Sequence, residues 1–385
     1  MKGRLLVLGI GALASVGVVA ACTIVDSLKL PDDAADSGQN GSRDAGTDKD
    51  VFVDPCRSDL LPDPPDPPVG TGNDGNTFFF AVDSVAFSVP GDAGGSVGLN
   101  LDKRCTCSGM PPDPQSCVPL SPNNKHCDTL GRGIDNAVAL LVNGQAKQNG
   151  FDVEGQSQRA LASGRNGLLI KMDQYNGEAN DSRVLFSFYV SAGPAYPDGG
   201  GLGGIKPTFT TADSWSVDMQ SLVGGADPKR YVGINNTTAT VTNGVFVASN
   251  LSGVLRLDNG LSIDLRSMEL SGKLVKEQDG TFRIDNGVLA GRWTTQDALR
   301  NLGTLGDPTA DGGKVCANPL NYGALKLLVC AAADISSTGP DNGNVTCDAL
   351  SLGLSFTAKP ATFGAVVGID AGVGACNNVD TQCTN

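Results

Sequence analysis

One short polar segment of the sequence concentrates side chains that can bind a hard metal ion. Residues 173–181 read Asp-Gln-Tyr-Asn-Gly-Glu-Ala-Asn-Asp and join two apolar segments that are predicted to be strands. Calcium takes six to eight oxygen ligands from carboxylates, amides and backbone carbonyls. The candidate calcium ligands are Asp173, Asn176, Glu178, Asn180 and Asp181. Because the spacing departs from that of an EF-hand, a polar hairpin loop without a metal is the alternative.

Carboxylates are the abundant functional group in the rest of the chain. There are 41 aspartates and glutamates against 28 lysines and arginines. Glycoside hydrolysis needs two carboxylates about 5–10 Å apart across a cleft, but the sequence singles out no pair. A catalytic triad would depend on His126, the one histidine, and the G-x-S-x-G and H-E-x-x-H motifs are absent. The net charge of −13 leaves no electrostatic footprint for nucleic acid.

Eleven cysteines indicate a disulfide-braced protein. Apart from Cys22 they form an early and a late group of five, with none between residues 128 and 315. Since five is odd, complete pairing requires at least one bridge between the groups, which predicts one domain whose ends meet. The candidate disulfide cysteines are Cys56, Cys105, Cys107, Cys117, Cys127, Cys316, Cys330, Cys347, Cys376 and Cys383. A zinc site made from four of the early cysteines is the alternative, but their spacing does not match the usual zinc knuckles.

The first 22 residues resemble the signal peptide and lipobox of bacterial lipoproteins. Two positive charges in residues 1–4 precede an apolar stretch over 5–21, which ends in Val-Ala-Ala before Cys22. The resemblance implies lipid attachment at Cys22 and removal of residues 1–21. Residue 23 is not aspartate, so the resemblance also implies an outer-membrane anchor in a cell with two membranes. The expected partner is thus the membrane, and the expected location is the cell envelope.

Residues 22–76 are predicted to be a disordered tether. Positions 23–76 carry twelve aspartates, no glutamate and four basic residues, and they include the proline-rich run 61–68. Such a composition offers too little apolar surface to offset the entropy lost on ordering. Self-repulsion and polyproline segments would extend this tether and hold the following domain away from the lipid.

Residues 77–385 are predicted to form a single, mainly β domain with a few short helices. Apolar runs at 78–82, 168–172 and 184–190 predict strands, and residues 231–291 resemble a meander of short strands. Asn-Gly pairs at 243–244, 259–260 and 286–287 predict tight hairpin turns, because these residues tolerate positive φ angles. A disulfide-braced β-sandwich or jelly roll fits this strand count best.

Two motifs in this domain are similar to those of uncharacterised disulfide-rich bacterial surface lipoproteins. One spans residues 127–136, and the other comprises Tyr-Asn-Gly at 175–177 with Asn180, Asp181 and Val184. The resemblance implies a β-rich domain outside the cytoplasm and brings no activity with it. Within the first motif, Asp135 is a candidate N-cap for a helix that would follow it.

Together these features favour a lipid-anchored envelope protein whose domain binds a glycan or another envelope component, with calcium as a candidate cofactor. Trp215 and Trp293 are candidates to stack on sugar rings, although a core position is the simpler interpretation. The alternatives are a structural envelope protein without a ligand and a carboxylate-based polysaccharide hydrolase. Enzyme motifs are missing, so the binding hypothesis is the one we carry forward.

Overall fold

Eight β-strands close into an antiparallel barrel in the computed structural model. The structure describes residues 61–66, 68–69, 75–87, 97–106, 115–120, 127–128, 133–142, 153–194, 205–222, 236–256, 262–307, 313–339, 343–368, 376 and 379–383. They all belong to the compact unit Val53–Asn385. The predicted signal peptide, the lipid-attachment residue Cys22, His126 and most of the predicted tether lie outside these ranges.

The strands pair in the order β1-β2-β3-β5-β6-β7-β8-β9, and β9 pairs with β1 to close the barrel. The barrel strands are β1 (Thr77–Ala86), β2 (Gly167–Asp173), β3 (Asp181–Ser191), β5 (Asn236–Thr242), β6 (Val245–Arg256), β7 (Ser262–Lys276), β8 (Phe282–Thr294) and β9 (Ala349–Pro360). Two further strands, β4 (Ser214–Asp218) and β10 (Thr362–Val367), form a separate parallel pair.

This architecture confirms a mainly β protein but corrects the expected sandwich or jelly roll to a barrel. The strand pattern of a half-buried sheet is the same in both architectures, since one face of each strand packs inward in either case. Closure depends on the pairing of β1 with β9, in which Phe80 lies opposite Pro360. No local sequence signal reports a contact between segments so far apart along the chain.

Side chains fill the barrel interior. Phe186 and Phe246 stack with ring centroids 5.3 Å apart, and both are fully buried. Alternate residues of β1 to β3 point outward, where Tyr189 packs with Trp215 and Phe363 of the β4–β10 pair. The barrel is therefore a packed core, covered on this outer side by a second apolar layer.

Four α-helices lie among the described residues. They are α1 (Ala137–Leu140), α2 (Val153–Ser163), α3 (Thr295–Leu302) and α4 (Pro319–Ala331). Thr294 caps α3 by accepting a hydrogen bond from the backbone N–H of Asp297 at 3.1 Å. The expected cap of α1 was wrong by one residue: the Asn136 side chain, not that of Asp135, accepts from Ala139 N.

The three Asn-Gly pairs have different outcomes. Asn243 and Gly244 have φ angles of 52° and 78° in the predicted hairpin turn between β5 and β6. Asn286-Gly287 does not form a turn, because it lies inside β8 at a shift in register with β9. A Cβ at Gly287 would come within 2.6 Å of the Phe356 ring, so packing against β9 requires glycine there. The third pair lies outside the described residues.

Three disulfide bonds have both cysteines within the described residues. Cys117–Cys347 spans 230 residues and joins the early group to the late group, as the odd counts predicted. Cys316–Cys376 and Cys330–Cys383 connect the region of α4 to the carboxyl-terminal tail. The early and the late cysteine groups are thus joined covalently.

Candidate functional site

The polar segment 173–181 forms the turn between β2 and β3 at one end of the barrel. Tyr175 lies in the core cluster and packs edge-to-face against Phe78 and Phe282, with ring centroids 5.7 and 5.6 Å away. Its hydroxyl donates to the backbone carbonyl of Glu178 at 2.6 Å. The turn therefore carries an aromatic plug for this end of the barrel.

The two aspartates of this turn accept hydrogen bonds from the protein itself. Asp181 is fully buried and accepts from the backbone N–H groups of Asn176 and Arg183 at 2.9 and 3.0 Å. Asp173 accepts from the Thr77 hydroxyl and lies 2.5 Å from the Lys171 ammonium. These contacts give both carboxylates a role in shaping the turn.

The amide and glutamate side chains of the turn are arranged differently. Asn176 donates to the backbone carbonyl of Asn180, and its own side-chain oxygen accepts from Glu178 N. The Glu178 side chain is exposed. Within the described ranges, no group of three or more histidine, cysteine or acidic side chains is placed to hold a metal. Calcium binding at this turn stays a prediction.

A second set of acidic residues, which the sequence did not identify as a set, lies on the outer face of β8 and β9. The set comprises Asp102, Asp128, Asp135 and Asp334, called here the aspartate cluster. Asp135 accepts from Leu101 N at 2.7 Å and Asp102 N at 3.3 Å. Asp334 accepts from Ser351 N at 2.8 Å and from the Ser351 hydroxyl. Asp135 and Asp334 thus each tie a loop to a neighbouring segment.

Burial favours the protonated forms of three members of the cluster, Asp128, Asp135 and Asp334. Desolvation raises the pKa of Asp128 to about 6 and that of Asp334 to about 7. The pKa of Asp135 lies well above its ordinary value, first because of burial and then because of the nearby Asp102 charge.

Other polar groups complete this outer layer. Arg292 of β8 is buried and donates to the carbonyls of Ser336 and Leu101. The Asn136 amide donates to the Val97 and Gly353 carbonyls and accepts from Gly353 N at 3.0 Å. The cluster therefore fastens residues 97–106 and 133–136 to the barrel. Its carboxyl groups are covered, so they do not face a cleft that could hold a polysaccharide.

A polar groove lies at the end of the barrel where β8 ends and β9 begins, opposite the 173–181 turn. Its cavity has a volume of about 280 Å³. Its polar lining includes Arg266, Thr295, Gln296, Ser337, Asp348 and Gln382. Cys347 and Cys383 also line it, so two disulfide bonds brace its walls.

The groove walls are held by internal hydrogen bonds. Asp348 accepts from the Ser337 backbone N–H at 2.6 Å and from its hydroxyl at 2.7 Å. Thr295 donates its hydroxyl to the Asp348 carbonyl at 3.1 Å. Arg266 lies 3.4 Å from the Asp297 carboxylate, and 54% of its side chain is exposed. The groove thus presents hydroxyl, amide and guanidinium groups on a braced frame.

Both tryptophans lie in the core. Trp215 is fully buried under the β4–β10 pair, and only 2% of Trp293 is exposed. A Cβ at Gly167 would approach the Trp215 ring to 2.7 Å, which shows how closely β2 packs against it. The core interpretation of these residues therefore holds, and neither ring is available to stack on a sugar.

Comparisons with known proteins found no matching family model, no matching curated protein and no matching solved structure. Among the helices that the structure describes, none is both long enough and apolar enough to cross a membrane. Disulfide bonds persist in oxidising compartments, so the three bridges indicate an extracytoplasmic protein.

Proposed function

We propose that this protein is a lipid-anchored envelope protein whose barrel binds a small polar ligand in the groove beside α3. The main support for this proposal is the cavity of about 280 Å³, which is lined by hydroxyl, amide and charged groups between two disulfide bonds. Ligand sites are concave and largely preformed, and they place a few polar groups to orient the ligand. Braced walls reduce the entropy lost when a ligand is bound.

A sugar residue of an envelope glycan suits this groove best. Its volume of about 280 Å³ lies just below the range of about 300–1,000 Å³ for small-molecule sites, which fits one sugar unit or the end of a chain. Gln296 supplies an amide, and Ser337 and Thr295 supply hydroxyl groups. The lining residues include no aromatic ring, so recognition would depend on hydrogen bonds, with Arg266 favouring a sugar that carries a carboxylate.

The anchor at Cys22 and the tether over residues 22–76 complete the proposal. They rest on the lipobox resemblance and on the aspartate-rich composition, and the disulfide bonds are consistent with an envelope location. Stable anchoring needs more than one lipid chain, since a single acyl chain binds a protein to the membrane only marginally.

A glycan array probed with the full oxidised chain tests the binding function. We expect saturable binding to a related set of glycans, lost in Gln296→Ala and weakened in Arg266→Ala. Arg183→Ala is the matched control, because Arg183 is an exposed arginine on β3, away from the groove. Binding that survives both groove substitutions would contradict the proposed site.

The same array run with calcium and then with chelator separates the groove from the 173–181 turn. Loss of binding in chelator and in Asp173→Ala would place the ligand at the turn instead. A blank array in both buffers would favour a structural envelope protein. That second candidate is supported by the internal hydrogen bonds that engage the turn and the aspartate cluster. A carboxylate-based hydrolase would instead release reducing ends from a bound polysaccharide.

A further inference from the structure

Residues 379–383, near the carboxyl end of the chain, form one wall of the groove. Thr381, Gln382 and Cys383 line the cavity on this side. This segment, called here the tail wall, belongs to no helix or strand. Its position therefore depends on contacts with the rest of the domain, because no strand ladder or helical hydrogen bonds hold it.

Helix α4 holds the tail wall through one covalent bond and two polar contacts. Cys330 forms a disulfide bond with Cys383. The Lys326 ammonium lies 2.5 Å from the Asp380 carboxylate, and the Tyr322 hydroxyl donates to the Asp380 backbone carbonyl at 3.3 Å. Among the described residues, these two are the polar contacts that join the tail wall to another element.

The noncovalent contacts of the tail wall are weak. The Asp380 side chain is 67% exposed, and ion pairs at such positions are weakened by water and by salt. The hydrogen bond from Tyr322 is longer than the usual distance between two oxygens. Val379 adds apolar contact with the core cluster, but it is only partly buried. The disulfide bond is therefore the main fastening of the tail wall.

The disulfide bond of the tail wall is the most accessible of the three bonds whose cysteines are both described. Each of its two cysteines is partly exposed, and Cys383 lines the cavity. By contrast, Cys117 and Cys347 are 2% and 1% exposed, and Cys376 is 6% exposed. Each of the other two bonds thus has at least one buried cysteine. Because thiol–disulfide exchange requires access to a sulfur atom, accessible disulfides are the ones that are reduced most readily.

We infer that the Cys330–Cys383 bond is a redox switch of the groove, which a dithiol reductant opens by thiol–disulfide exchange. A thiolate of the dithiol attacks one sulfur of the bond and forms a mixed disulfide, and the other sulfur leaves as a thiolate that takes up a proton. The second thiol of the dithiol then displaces the remaining cysteine. Two electrons and two protons pass to the cysteine pair, and the dithiol is oxidised to a disulfide.

Reduction changes the groove because the tail wall supplies part of its lining. The freed segment takes the Gln382 amide and the Thr381 hydroxyl away from the cavity, whereas Cys117–Cys347 still braces the other side. A ligand must then order this segment again, which lowers its affinity. The effect on affinity rests on the proposed function, since it assumes that the groove binds a ligand, but the opening of the switch does not.

Reduction of the full oxidised chain with increasing concentrations of dithiothreitol tests the switch. Free thiols are alkylated at each concentration, and the remaining cysteines receive a second, heavier label after complete reduction, so that mass spectrometry identifies both sets. We expect Cys330 and Cys383 to be labelled first, at roughly one tenth of the dithiothreitol concentration that Cys117 and Cys347 require, because burial limits access of the attacking thiolate.

The reactivity of Lys326 reports whether the tail wall leaves its position. The Lys326 side chain is 23% exposed beside Asp380, so departure of the segment uncovers the ammonium group. We expect acetylation of Lys326 by an amine-reactive ester to become several-fold faster after selective reduction. Lys273 is the internal reference, because it is an exposed lysine on β7, away from the tail wall.

Paired serine variants assign the effect to this bond. Cys330→Ser with Cys383→Ser should show the fast acetylation of Lys326 without reductant and should weaken glycan binding about tenfold, which corresponds to about 1.4 kcal/mol. Cys316→Ser with Cys376→Ser is the matched control, because it removes a bond of similar sequence separation, 60 residues against 53, and leaves the switch closed. Melting curves verify that both variants are folded.

Three results would overturn the inference. The first is alkylation of Cys117 and Cys347 at the same dithiothreitol concentration as Cys330 and Cys383. The second is unchanged acetylation of Lys326 after reduction, and the third is undiminished glycan binding in the variant that lacks the switch. If the wild-type chain binds no glycan, the proposed function fails, but the order of alkylation and the acetylation of Lys326 still decide whether the switch opens.

Discussion

The Ser351 hydroxyl links the buried Asp334 carboxylate to the first residue of helix α1. It donates a hydrogen bond to Asp334, and its oxygen accepts a hydrogen bond from the backbone N–H of Ala137 at 2.9 Å. A helix that begins at Ala137 has unsatisfied N–H groups at its first turn. The β9 strand therefore supplies a partner for α1, and the aspartate cluster holds that partner in place.

The aspartate cluster predicts that stability falls as the pH rises from about 4 to 7. Between pH 3.8 and their raised pKa values, Asp128 and Asp334 keep protons in the folded protein that the unfolded chain has released, because burial raises the pKa of Asp128 to about 6 and that of Asp334 to about 7. The unfolding free energy therefore decreases with rising pH. One pKa unit corresponds to about 1.4 kcal/mol, so the loss reaches several kcal/mol. Urea denaturation of the oxidised chain at pH 4.5 and 7.5 measures it.

Asp334→Asn serves as the control for this pH dependence. Asparagine keeps the size of the side chain and an acceptor for Ser351, but it does not titrate. We expect a flatter dependence of unfolding free energy on pH in this variant. A stability that instead rises between pH 4.5 and 7.5 in the wild-type chain would contradict protonation of the cluster.

The long-range disulfide should stabilise the domain more than a shorter one. In the chain-entropy view, Cys117–Cys347 closes 230 residues and Cys316–Cys376 closes 60, so loss of the first costs about 1 kcal/mol more than loss of the second. Each pair is replaced by two alanines, and unfolding free energies are compared. Equal losses would show that strain or unfolded-state structure outweighs loop length.

Two glycines are expected to respond to alanine in opposite directions. A Cβ at Gly353 would lie 2.1 Å from the Val97 carbonyl oxygen and 2.6 Å from the Gly98 Cα, so Gly353→Ala forces residues 97–98 away from β9. We expect a loss of about 1–3 kcal/mol. Gly323 lies inside α4 with open space at its Cβ, and Gly323→Ala should gain up to about 1 kcal/mol from helix propensity. Thermal unfolding of both variants decides the comparison.

The 173–181 turn is expected to depend on Asp181. Asp181→Ala leaves the N–H groups of Asn176 and Arg183 without their acceptor and should cost about 1–3 kcal/mol. Glu178→Ala is the control, because its side chain is exposed and surface changes are usually within about 0.5 kcal/mol. Melting temperatures recorded with calcium and with chelator test the metal prediction. A rise with calcium that Glu178→Ala abolishes would establish a calcium site.

The sequence by itself determined the first three barrel strands, one hairpin turn and a covalent link between the two cysteine groups. Apolar runs predicted β1 to β3. The pair Asn243-Gly244 predicted a hairpin, because the tight turn needs a positive φ angle at both central residues and few residue types tolerate one. The odd cysteine counts required a bridge between the two groups, which Cys117–Cys347 provides. The hairpin prediction succeeds because dihedral preferences depend on local residue types. The bridge prediction succeeds because it depends only on the number of cysteines in each group.

Only the tertiary structure decided the barrel and the two polar sites. Barrel closure requires β1 to meet β9, and the same alternating strands would serve a sandwich. Asn286-Gly287 lies within a strand because of the Phe356 ring from another strand. Asp334 of the cluster lies about 200 residues after Asp135, and the raised pKa values of Asp128, Asp135 and Asp334 arise from burial, which a sequence does not display.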